Sequence, residues 1–80
     1  MKTAAINPSF EIDISDLMNP TSIIAVLQSI NTLTAGDILK VVTCNQNTVM
    51  AVISYCKSSG NTLMQKDNID DETTIFIKKA

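Results

Sequence analysis

Histidine is absent from this chain, and cysteine, glycine and proline occur only twice each. Without imidazole, proton transfer by histidine is excluded, and so is any zinc site that needs a histidine ligand. Two thiols cannot supply the alternative set of four thiolates, so no metal and no cofactor is expected. Nor do two cysteines make a disulfide framework, and a reducing cytoplasm is the expected compartment. Aromatic residues amount to 4%, too few for a platform on which bases stack. Six basic against eight acidic residues leave a net charge of −2, which is not the footprint of a nucleic-acid binder. The longest apolar runs fall far short of a bilayer span. Asn7, Pro8 and Glu11 interrupt any apolar stretch near Met1, so no signal peptide is expected and no membrane partner either.

What is present suffices for one small folded unit. Eighty residues lie near the lower end of what a single core supports, and 45% apolar content argues against disorder. Asn7-Pro8-Ser9 is turn chemistry, so residues 1–9 read as a flexible leader and 10–80 as a single domain. Phe10 to Ile14, FEIDI, alternates apolar and acidic residues as a strand with one wet face does. From Pro20 onward Ile23, Val26, Leu27, Ile30 and Leu33 step by three and four along one helical face, and Gly36 suits the turn that ends it.

Asp37 to Thr43, DILKVVT, is rich in β-branched residues and reads as a second strand. After the polar loop CNQNT, Val49, Val52, Ile53 and Cys56 trace a second helical face, with Asn45 or Asn47 as its N-cap and Gly60 at its end. TLMQKDNI and TTIFIKK read as two strands joined by the acidic turn Asp70-Asp71-Glu72. The order β-α-β-α-β-β predicts an α/β (α+β) two-layer sandwich, a four-stranded mixed sheet with two helices on one face. Right-handed crossovers make its first two strands parallel, and the last two form a hairpin.

Few side chains offer chemistry. Asn19-Pro20 has a complete structural explanation: asparagine caps the first helix through its amide oxygen, and proline occupies the first helical position. Cys56 lies in the apolar register of the second helix and behaves as a small buried hydrophobe. Cys44 follows the second strand. Parallel pairing places it on the same sheet edge as Asn19, near two helix N-termini whose partial positive charge favours a thiolate. It is either a loop cysteine without a role or a sulfur or redox site. Asp13, Asp16 and Asp37 lie on a strand, in a turn and at a strand start, so capping or solvated roles fit them better than acid–base pairing. Met18, beside the cap, is a candidate for an exposed contact surface.

Taken together, IDISDLMNPTSI, LTAGDILKVV, YCKSSGN and the terminal IFIKK give the chain a pattern that resembles the TusA/SirA/YedF family of small sulfur-carrier proteins from Phe10 to Lys79. Asp13, Leu17 and Pro20 fall where that family has the Asp, Leu and first Pro of Asp-x-x-Gly-Leu-x-Cys-Pro-x-Pro. Leu33, Gly36 and Asp37 match its Leu-x-x-Gly-Asp, and Lys57 and Gly60 its Lys-x-x-Gly. The motif departs at three places: Asp16 replaces the glycine, Asn19 the cysteine and Ser22 the second proline.

The resemblance implies a persulfide carrier that takes sulfur from a cysteine desulfurase and relays it to another protein, as in tRNA thiolation. An amide at position 19 cannot carry persulfide sulfur, so enzymatic activity is left open, at most of sulfurtransferase type. Two readings follow. The chain is a degenerate sulfur-relay protein, with Cys44 as a possible substitute thiol, or it is a non-catalytic protein-binding module that kept the docking surface of Met18, Asn19 and Pro20. An enzyme with a small-molecule pocket fits least, for want of a catalytic constellation. The expected partner is a protein, a cysteine desulfurase or relay component, bound by a monomer.

Overall fold

A computed structural model describes residues 6–80, and residues 1–5 of the expected leader lie outside the described residues. Six elements follow in the expected order: β1 Phe10–Asp13, α1 Thr21–Asn31, β2 Ile38–Thr43, α2 Gln46–Ser59, β3 Thr62–Ile69 and β4 Glu72–Lys78. The strands form one mixed sheet in the order β1-β2-β4-β3. β1 runs parallel to β2, while β4 is antiparallel to both β2 and β3. β3 therefore points the same way as β2. The carboxyl ends of β1, β2 and β3 share one edge of the sheet, with the start of β4.

β4 is central because its run Ile75-Phe76-Ile77 is buried on both faces. The helices pack on each other and on one face of the sheet, enclosing a single core. Leu39, Val41, Ile75 and Ile77 supply its sheet side; Val26 and Ile30 of α1 and Val49, Val52 and Cys56 of α2 supply the other. This is the two-layer sandwich expected from the pattern.

The two helices are held in different ways. Asn45 caps α2: its Oδ1 accepts from the N–H groups of Asn47 and Thr48. Gly60 ends that helix at φ 82°, a conformation that favours glycine, and its N–H donates to the Cys56 carbonyl. Lys57 in the last turn complements the helix dipole. α1 lacks most of these aids, although its C-cap Thr32 donates its N–H and its hydroxyl to the Ser29 carbonyl. It has no side-chain cap at its N-terminus, no acid in its first turn and no base in its last. Its anchorage is the burial of Ser22, Val26 and Ile30 along one stripe.

Candidate functional site

The helix N-termini meet at the sheet edge where β1, β2 and β3 end. Residue 19 does not cap α1, contrary to the expectation from Asn-Pro. Pro20 occupies the cap position with φ −89° and ψ −2°, and the helix proper starts at Thr21. The Asn19–Pro20 peptide bond is cis. The N–H of Ser22 donates to the Met18 carbonyl at 3.0 Å, and that of Ile24 to the Pro20 carbonyl at 3.0 Å, each four residues back along the chain.

The Asn19 side chain reaches across to the neighbouring helix. Its Oδ1 accepts the hydroxyl of Ser22 at 2.7 Å and that of Thr48 at 2.6 Å. The two hydroxyl oxygens are themselves 2.7 Å apart. Two hydroxyl protons thus serve three close oxygen pairs, and both can be aimed at the amide oxygen. Ser22 and Thr48 are fully buried, whereas Asn19 remains exposed as a residue. The result is a polar knot that ties the first turn of α1 to the first turn of α2. Met18 stands beside it, 76% exposed, and Pro20 is exposed too.

Cys44 follows β2 on the same edge but takes no part in this knot. It is exposed and lines an open depression of about 530 Å³ with Gln46, Asn68, Asp70, Asp71 and Thr73. Within the wall, the Gln46 amide donates to the Thr73 hydroxyl at 3.1 Å, which donates to Asn68 Oδ1 at 2.7 Å. Helix N-termini led to the expectation of a stabilised thiolate here. The opposite holds: the Cys44 pKa is raised, first by the water its surroundings displace, then by the carboxylates of Glu72, Asp71, Asp13 and Asp16.

Cys56, 2% exposed, is pushed up by burial, and both cysteines are free. Asp13 is held below the usual carboxylate range by the hydroxyl and then the N–H of Ser15, which donate to Oδ1 at 2.6 and 3.0 Å. Asp37 serves structure at the other end of the sheet, accepting from the Thr34 N–H at 2.9 Å. Among the described residues no group of three or more histidine, cysteine, aspartate or glutamate side chains could hold a metal ion. No described helix is long and apolar enough to cross a membrane.

Because the thiolate is disfavoured, Cys44 is expected to alkylate with iodoacetamide more slowly at neutral pH than a free cysteine in solution. Its rate should rise as pH climbs through the raised pKa. The double variant Asp71→Asn/Glu72→Gln should move that pH profile downward. A profile at or below that of free cysteine in the unmodified chain contradicts the assignment.

Sequence reasoning pointed to Met18, Asn19, Pro20 and Cys44 but missed Ser22 and Thr48. Ser22 carried a signal, as a serine standing where the motif has proline. Thr48 carried none, since its role depends on a contact 29 residues away.

A family model described as "Sulfurtransferase TusA" matches residues 10–79, nearly the whole described domain. Among curated proteins, the chain is 29% identical over 69 residues to one from Aquifex aeolicus (strain VF5) named "Putative sulfur carrier protein". That alignment covers 86% of this chain and 35% of the relative, so the chain spans about a third of the relative's length.

Proposed function

This chain belongs to the TusA family, and we propose that it is a sulfur-relay component which kept the docking end of the fold and lost the capacity to carry sulfur at position 19. One observation carries this reading. The side chain standing where the family's motif has its cysteine is an amide whose oxygen is engaged by two buried hydroxyls.

Persulfide transfer needs a thiolate that attacks the outer sulfur of a donor persulfide. A new S–S bond forms, the old one breaks, and the donor leaves as its own thiolate. Asn19 offers no sulfur for that bond. Its amide keeps the helix starts together and leaves a surface of Met18, Asn19 and Pro20 for a protein partner, a cysteine desulfurase or another relay protein. A reducing compartment such as the cytoplasm suits such chemistry.

A second reading rests on the exposure of Cys44 in the depression at the same sheet edge. There Cys44 is a substitute acceptor, working as a thiol that ionises with difficulty. Intact mass after incubation with a cysteine desulfurase and cysteine, without reductant, separates the two. The proposed function predicts no added sulfur on the chain. A gain of one sulfur that Cys44→Ser abolishes and Cys56→Ser retains overturns it in favour of the substitute thiol.

A further inference from the structure

Charge is distributed unevenly over this domain. No charged residue lies between Asp16 and Asp37, and the 11 residues of α1 and 14 of α2 contain one charge, Lys57. The carboxylates gather at the sheet edge bearing the helix N-termini: Asp13 ends β1, Asp16 follows it, Asp70 and Asp71 form the two-residue hairpin turn between β3 and β4, and Glu72 opens β4. Asp13, Asp16, Asp71 and Glu72 all lie close enough to Cys44 to act on its charge. No described lysine is at this edge. Lys57 is in the last turn of α2, and Lys78 pairs with Ile38 and Thr62 at the opposite edge. Lys79 donates its N–H to the Asp37 carbonyl there, Lys40 is tied to Glu11 at 3.4 Å, and Lys66 pairs with Ile75 in mid-sheet.

The apolar exposure of the helical layer falls at the same end. Ser22 and Thr48 fix the first turns of α1 and α2 side by side. Ile24 and Met50, near the starts of α1 and α2, lie on the solvent side of the helical layer, opposite the buried stripes of Ser22, Val26 and Ile30 and of Thr48, Val52 and Cys56. They are 48% and 68% exposed, and Met18 beside the knot is 76% exposed. Surfaces poor in charge with methionine in the contact are those that proteins bury against one another.

We infer that this end of the domain binds a protein partner whose apolar contact, seated on Met18, Ile24 and Met50, is flanked by lysine or arginine side chains that meet Asp13, Asp16, Asp70, Asp71 and Glu72. The inference rests on the reading of the chain as a docking component and names the chemistry of what docks. Charge selects the occupant. A second copy packed apolar contact on apolar contact brings five carboxylates against five, a like-charge juxtaposition that costs several kcal/mol. Nucleic-acid phosphates are repelled in the same way. A basic-rimmed protein surface gains attraction that also speeds its approach.

The test uses ¹⁵N-labelled full chain and two probes, an amphipathic leucine–lysine peptide and a leucine–glutamate peptide of equal length. The basic peptide is expected to shift the amides of Met18, Ile24 and Cys44 through Met50. Its affinity should fall on the order of tenfold in Asp16→Lys/Asp71→Lys, in Met50→Lys, and on raising the salt. These side chains are exposed, so the fold survives their replacement. Equal binding of both peptides, shifts located elsewhere, no shift at all, or a free protein already dimeric through Ile24 and Met50 each overturn the proposal. Because no sulfur transfer is involved, its failure is distinct from failure of the mass experiment.

Discussion

Asn19→Cys is expected to turn a chain that takes up no sulfur at position 19 into one that takes up one sulfur atom there. The readout is intact mass after incubation with a cysteine desulfurase and cysteine. The surroundings needed for a reactive thiolate are still in place. The position is at the start of α1, where the partial positive charge of the helix end favours an anion. A cysteine sulfur would stand where the amide carbon stands, beside the Ser22 and Thr48 hydroxyls that now donate to Asn19. Hydrogen bonds to the charged form lower a pKa, so both hydroxyls would favour thiolate over thiol. Cys44 illustrates the contrast, exposed on the same edge but among carboxylates that oppose ionisation. The substituted cysteine should also alkylate faster than Cys44 at neutral pH. Failure of Asn19→Cys to accept sulfur from a desulfurase that loads a TusA carrier would contradict the view that the scaffold is intact and only the nucleophile is gone.

The largest loss of stability is expected from Ile30→Ala. α1 has neither a side-chain cap at its N-terminus nor charges that complement its dipole, so its position depends on the packing of Val26 and Ile30 and on the knot at Ser22. Ile30 is fully buried in the single core, against a sheet whose central strands supply Leu39, Val41, Ile75 and Ile77. Truncating such an isoleucine costs about 2–5 kcal/mol, the lost transfer energy plus the cavity left behind. For a domain whose whole stability is on the order of 5–15 kcal/mol, that is a large share. Thermal unfolding followed by circular dichroism should show a midpoint lower by on the order of 10 °C or more. A loss below about 1 kcal/mol would mean that α1 is held by something other than this stripe. The same truncation at Met50, which is exposed, should fall within about 0.5 kcal/mol of no effect.

The six elements were legible because each announces itself locally. The period-two pattern of Phe10 to Ile14, the apolar steps from Ile23 to Ile30 and from Val49 to Cys56, and Gly60 after the second helix all mark elements found in place, though α1 ends at Asn31, short of Leu33 and Gly36. The central place of β4 was not read from the chain, although its apolar run Ile75-Phe76-Ile77 is buried in the structure. The start of α1 was not legible. Asn-Pro is good capping chemistry, yet whether an amide turns to its own helix or to a neighbour depends on what the neighbour presents. Here Thr48 presents a buried hydroxyl 29 residues away, and Asn19 turns to it. The same limit governs Cys44. Two helix N-termini nearby suggested a low pKa, but its surroundings displace water, and Glu72 and Asp71 return from the far hairpin to the same edge, so the balance is reversed.

If docking outlived chemistry, the unmodified chain competes for a sulfur donor without being loaded. The measurement that bears on this most directly is the rate at which a fixed amount of Asn19→Cys gains sulfur from a cysteine desulfurase, read by mass, as unmodified chain is added in increasing excess. The rate should fall steadily while the unmodified chain gains no sulfur. An unchanged rate at large excess, or sulfur appearing on the unmodified chain, would contradict a partner-binding protein that has lost its sulfur-carrying residue.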